Sequence, residues 1–233
     1  MVELQVMLDV LTEMADSYER TKPDDVVGGV RVRIGKDDPY LVVLAEATVT
    51  VHEATVDDDW AVSLDLSEET FEKLAAGKWN GLTAAGRESM SDDAPLDFRV
   101  PDGAELEGET LQLLYHFLTH FFSRDHPTVT RLGRSHARTV HGGNTVPIAY
   151  GHGVRYAYYT IREDEQINED EADPWDQIFT VVRGSGIALV DGERIDLEEN
   201  VAVHVPPGST HRIRCGDDAD ALELLWVAYG EDA

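Results

Sequence analysis

The sequence predicts an α+β first half followed by an all-β second half. Two patterns carry this. Before about residue 122, apolar residues recur at helical spacing in some stretches and alternate in others. After Val154 the apolar runs are short, β-branched and closed by glycine or proline turns, as in a small sandwich or barrel.

Leu4, Met7, Leu8, Leu11 and Met14 share one helical face, so a helix is expected from about Val2 to Tyr18, stopped at Thr21-Lys22-Pro23. Val30, Val32 and Ile34 alternate with Arg31 and Arg33, the pattern of a strand buried on one side. Gly35 to Asp38 turns the chain into a strand from Tyr40 to Leu44. Ala47, Val49 and Val51, then Trp60, Val62 and Leu64, predict two more. Ser67 is a good N-cap, with Glu68 and Glu69 in the first turn of a short helix that Gly77 closes. A second short helix is expected over Leu82 to Ala85 and a strand at Leu96, Phe98 and Val100. Glu109 to Phe122 is the most apolar helix. Its wide stripe implies burial on more than one side, or a cavity beneath it.

Ser123 to Asn144, with Pro127 and Gly142-Gly143, is expected as linker and entry. Val154 to Ile161 is a tyrosine-rich strand, and the acidic Arg162 to Asp173 is expected as a solvated loop. Ile178–Val182, Ile187–Val190, Ile195–Leu197, Val201–Val205 and Leu222–Tyr229 follow as strands. Asp191-Gly192 is the strongest hairpin signal, and Pro206-Pro207-Gly208 must end its strand because proline has no N–H to give.

Composition excludes several classes. The hydrophobic share of 42% suffices for a buried core. Asp and Glu number 46 against 19 Lys and Arg, for a net charge of −27, with acid spread along the whole chain. A surface that acidic repels phosphates, so no nucleic-acid partner and no anionic membrane surface is expected, and no apolar run approaches a membrane span, so no membrane insertion is expected. Self-repulsion at low salt is a cost that halophilic proteins accept, so a cytoplasmic protein of a salt-loving organism is expected. Cys215 is alone and forms no disulfide within the chain.

In the second half, Pro206, Gly208 and His211 fit the pattern G-x5-P-x-G-x2-H-x3-N, with Asn200 and Cys215 replacing its first and last residues. A companion pattern, G-x5-H-x-H-x3,4-E-x6-G, fits at Gly184. It puts Gln177 at the glutamate and Glu171 and Asp173 (or Asp170 and Ala172) at the histidines. On these residues the second half resembles the cupin superfamily. That resemblance implies an all-β cupin (double-stranded β-helix or jelly-roll) barrel over 125–233, commonly paired as a homodimer.

The first half resembles the sterol carrier protein type two fold. The resemblance rests on Val62 to Gly86, where an acidic helix cap, a Phe-x-x-Leu helix, Gly-Lys and a small-residue helix follow a strand. It implies an α+β domain over 1–124 with an apolar tunnel or a dimerising role, and brings no catalytic residues.

The cupin resemblance implies a metal at His211, Gln177, Asp173 and Glu171. Three of these share strand parity, and the ion would be a divalent metal such as Mn, Fe, Zn or Ni. Against it, Pro174 interrupts the strand, and a histidine bonded inside an apolar pocket is the plainer account of His211. Tyr156, Tyr158, Trp175, Gln177, Phe179 and His211 are the candidate pocket residues, although aromatic strands are more often core. His116 and His120 have zinc-pair spacing without the glutamate of the zinc motif, so a wet helix edge explains them better. His136, His141 and His152 are expected on surface loops near the barrel entrance. The leading expectation is a non-enzymatic protein that binds a small apolar or amphipathic ligand. The alternatives are a metal-dependent oxygenase or isomerase built around His211, and a structural protein that dimerises through its cupin half.

Overall fold

The computed structural model describes residues 2–36, 38–87, 92–122, 129–151 and 153–230, without the side chains of 2–5, 151 and 168–171. The chain divides into two compact units, Met1–Ala85 with Ser91–Arg131, and Gly86–Met90 with Leu132–Ala233.

In the first unit, helix α1 (Val2–Glu19) precedes strands β1 (Gly28–Ile34), β2 (Tyr40–Leu44), β3 (Val49–Glu53) and β4 (Val62–Leu66). Helices α2 (Glu68–Ala75) and α3 (Gly81–Ala85), strand β5 (Leu96–Arg99) and helix α4 (Gly108–His116) complete it. The sheet runs β3-β2-β1-β4-β5, with β1 and β4 parallel and the other neighbours antiparallel. α1 buries Leu11 and Met14 as its spacing predicts, leaves Met7 and Leu8 half-buried and adds Tyr18, while the Leu4 side chain lies outside the described residues. Ser67 caps α2 by accepting from the Thr70 N–H at 3.1 Å.

The expected long helix is not uniform. α4 ends at His116 and continues as a π-helical turn over Phe117–Phe121. The space under its apolar stripe is taken by the stripe's own aromatics. Phe117 and Phe121 stack at 4.2 Å, and Tyr18 meets both edge-on at 6.4 and 6.0 Å. The Tyr18 hydroxyl and His116 Nδ1 share a hydrogen bond of 2.6 Å. Burial, and then the neighbouring His120, hold the His116 imidazole down to about 4.

The second unit has strands β6 (Arg138–Val140), β7 (Gly143–Gly151), β8 (Val154–Ile161), β9 (Gln166–Ala172), β10 (Asp176–Arg183) and β11 (Gly186–Val190). It continues with β12 (Glu193–Leu197), β13 (Ala202–Val205), β14 (Thr210–Cys215) and β15 (Leu222–Tyr229). These form a six-stranded sheet, β13-β10-β15-β8-β7-β6, and a four-stranded sheet, β12-β11-β14-β9. All pairings are antiparallel, and one core joins the inner faces, with Tyr159, Phe179, Val181, Leu224 and Trp226 from one sheet and Ile167, Ala188 and Ile213 from the other. The described strands make two sheets, not the closed barrel expected. Two further expectations fail. The acidic stretch after Arg162 is strand β9, because pairing with β14 takes up its backbone, and the supposed linker contains β6 and the start of β7. Ser123 and Pro127 lie outside the described residues.

Glu165, in the β8–β9 turn, fastens this arrangement. Its carboxylate accepts two bonds from Arg134 at 2.8 and 3.0 Å, one from Asn144 at 2.8 Å and one from the Arg162 N–H at 3.0 Å. These donors, Arg134 first, hold it below the usual carboxylate range.

The turns obey backbone sterics. Asp191 and Gly192 have φ of 49° and 82°, the left-handed pair of a tight hairpin. At Gly184, φ is +84° and an added Cβ would sit 2.1 Å from the Ala221 carbonyl oxygen, whereas Gly192 opens on empty space. Gly184→Ala should therefore cost more than about 3 kcal/mol and Gly192→Ala about 1 kcal/mol, read from denaturant midpoints. His116 gives a second prediction. Its folded pKa is depressed, so its contribution to stability is complete above the unfolded value near 6.5 and is lost as pH falls toward 4. Stability measured between pH 7 and 5 should fall less steeply in His116→Gln than in the unaltered protein.

Candidate functional site

At one end of the second unit, polar side chains project between the two sheets. Inward positions on β10 are Gln177, Phe179 and Val181, and strict alternation turns Ile178, Thr180 and Val182 the other way. Gln177 is 1% exposed and so must be satisfied by protein groups. Its Oε1 accepts from the Trp226 indole N–H at 2.7 Å, and its Nε2 donates to Asp173 Oδ2 at 2.9 Å. Indole only donates and an ionised carboxylate only accepts, so the amide has one possible orientation. Glutamate at this position could still accept from the indole but would set a second carboxylate against Asp173 with no donor between them. The exchange of the pattern's glutamate for Gln177 fits the exchange of its histidine for Asp173.

His211, on β14, is 1% exposed, and its ring lies 5.5 Å from that of Phe179. Tyr159 meets Trp226 edge-on at 6.1 Å. Burial pushes the Tyr159 hydroxyl well above the usual phenol range, nearby Tyr150 and Asp173 add to this, and a hydrogen bond with Thr145 opposes it. It therefore stays protonated.

The rim of this end is aromatic and cationic. Tyr150 and Arg155 face each other across the β7–β8 pair, and Arg155 shares the strand parity of the inward Ala157 and Tyr159. The Arg155 guanidinium lies 4.2 Å from the Trp175 ring and 5.8 Å from that of Tyr150. Trp175 and Tyr150 are partly buried against the common core.

The structure thus brings Trp175, Gln177, Phe179, His211 and Asp173 to one end of the sandwich. Tyr156 and Tyr158 are not with them. They sit on the other face of β8, where Glu223 lies near the Tyr158 hydroxyl and burial pushes it up to about 12. The adjacent Tyr158-Tyr159 pair left parity ambiguous, and it is Tyr159 that faces in. Tyr159, Trp226 and Arg155 were missed by sequence reasoning. The small Ala157 and Ala228 between larger inward residues were the available signal.

The family pattern implies a metal, and the described residues do not fit one. Gln177 Oε1 is capped by the indole and Asp173 Oδ2 by the amide. Among the described residues, His211 is the one imidazole on the inner face, and no three His, Cys, Asp or Glu side chains group closely enough for an ion. The Glu171 backbone lies opposite His211 across β9 and β14, but the Glu171 and Asp170 side chains lie outside the described residues, and Ala172 pairs with the exposed Thr210.

The remaining histidines fall elsewhere. His136 and His141 precede Gly143, at the end of β7 away from Tyr150, a separation of roughly 20 Å along the strand. His152 lies outside the described residues. Cys215 is buried, and burial pushes its thiol up, so it packs rather than reacts. Asn200, in the place of a glycine, keeps a left-handed φ of 69°, which asparagine tolerates.

Residues 157–228 match the family described as Cupin domain, so the C-terminal region carries a cupin domain. No curated protein matches the chain. Similar solved structures include a cupin 2 conserved barrel domain protein from Salinispora arenicola, at 15% identity over 44% of this chain and 87% of that one, TM-score 0.40. An RmlC-like cupin from Shewanella frigidimarina is 19% identical over 38% of this chain and 77% of that one, TM-score 0.35. A predicted oxalate decarboxylase from Thermotoga maritima is 13% identical over 37% and 79%, TM-score 0.34.

The Gln177 chain yields a prediction. Gln177→Leu leaves the buried Trp226 N–H without its acceptor and the half-buried Asp173 without this donor, and should cost about 2–4 kcal/mol. Adding Trp226→Phe removes one orphan, so the double variant should lose less than the sum of the two single losses in a denaturation cycle.

Proposed function

We propose that this is a two-domain cupin protein, with a sterol-carrier-like domain over 1–124 and a cupin domain over 125–233, that binds a small amphipathic molecule without turning it over. The Asp173–Gln177–Trp226 hydrogen-bond chain carries this reading. It occupies the positions where the family pattern has metal ligands and leaves a fixed, polar but unreactive floor. Around that floor, Tyr159, Phe179, Trp175 and His211 supply the mix of apolar walls and few polar groups that suits a small ligand. The aromatic packing beneath the π-helical turn favours the cupin end over the first domain as the binding place.

The net charge of −27 supports a halophilic, cytoplasmic setting, and makes nucleic acid an unfavoured partner. Among the described residues no helix is long and apolar enough to cross a membrane. We include homodimerisation in the proposal. Sedimentation in concentrated salt should give twice the chain mass, and a monomer removes that part.

The test is elemental and native mass spectrometry on untagged protein kept in concentrated salt. The expected result is no near-stoichiometric transition metal and a co-purifying small molecule. A stoichiometric metal, lost in a His211→Ala variant that stays folded, would overturn the reading in favour of a metal-dependent oxygenase or isomerase.

A further inference from the structure

Arg155 is an anomaly in so acidic a chain. The carboxylates that flank Trp175 in sequence have other partners, Asp173 bonding Gln177 at 2.9 Å and Asp176 bonding His204 at 2.7 Å. Among the described residues, Arg155 makes no hydrogen bond or ion pair, and its contacts are the two aromatic faces of Trp175 and Tyr150. Stacking restrains the planar fork while leaving its N–H edges available, the state in which a guanidinium takes a carboxylate with two parallel bonds. A second donor beside it is also unmet. The Trp175 indole N–H is shut off from solvent and bonded to nothing among the described residues. A buried donor in that state costs free energy unless an acceptor completes it.

We propose that the ligand of the cupin domain carries a carboxylate, held by the Arg155 fork and the Trp175 N–H at the rim, with its apolar body directed between the sheets. The inference rests on the proposed binding function and adds the chemical class. The inner surface supports this polarity. Arg155 shares the inward parity of Ala157 and Tyr159 and pairs with Ala228, so an anion anchored on it lies at the edge of the apolar core these residues build. The negative floor at Asp173 repels a second anionic group, so the class is a monocarboxylate with an uncharged body.

The experiment uses the full chain in concentrated potassium chloride and matched probes: benzoate with benzamide, hexanoate with hexanamide, and glutarate with glutaramide. Binding is read by ligand-observed NMR and calorimetry. Among the described residues Arg155 forms no hydrogen bond or ion pair, so Arg155→Gln should stay folded, which circular dichroism checks. The expected result is that a monocarboxylate binds in preference to its amide, and that Arg155→Gln weakens it on the order of 10- to 100-fold without changing the amide. Trp175→Phe, which keeps the ring and removes the N–H, should weaken it roughly 3- to 10-fold. Equal binding of acid and amide, unchanged in Arg155→Gln, overturns the anion inference and leaves the binding function standing. Preference for glutarate over both monocarboxylates overturns the assigned class. Binding of no probe by the unaltered protein overturns both.

Discussion

The interior of the cupin domain depends on how Gln177 is satisfied. A primary amide sealed between two sheets needs an acceptor for its nitrogen and a donor for its oxygen, and the cost of missing either is comparable to that of several good apolar contacts. Asp173 and the Trp226 indole supply them. That requirement ties β10 to β15 and to the turn after β9, fixes the position of Trp226, and through it the edge-on contact with Tyr159. The polar floor is thus determined from within, by donor and acceptor count, and the aromatic walls follow from it.

Charge acts on a different scale. The excess of acid over base is spread over the surface, where salt screens it. Within this field, cations placed without a carboxylate partner carry information. Arg134 is consumed by Glu165 and serves the fold, whereas Arg155 is spent on two aromatic faces and serves the rim. The contrast separates a structural arginine from a recognition arginine by partner rather than by exposure.

The candidate site was half legible. Pro206, Gly208 and Gly184 are motif positions with local backbone roles, and such roles survive divergence because proline and left-handed glycine answer to short-range sterics. Gln177 and Asp173 were found by counting along the pattern, but their meaning was not, since a metal ligand and a hydrogen-bonded partner occupy the same register. Trp226, Tyr159 and Arg155 escaped because each depends on strand parity in a segment where both faces are apolar. One residue of slip in such a segment exchanges inside for outside.

The first half's α1, β1, β2 and β4, its Ser67 cap, and the Asp191-Gly192 hairpin were determined by the sequence alone. Their signals are local: a period, a cap, a left-handed turn. Tertiary structure decided that the acidic segment after Arg162 is strand β9, since only the backbone of β14 offers it a ladder. It also decided that the second half closes as two facing sheets, that α4 relaxes into a π-helical turn where Phe117 and Phe121 stack, and that Arg155 stands over an indole at the rim. These follow from partners distant along the chain, and no local window contains them.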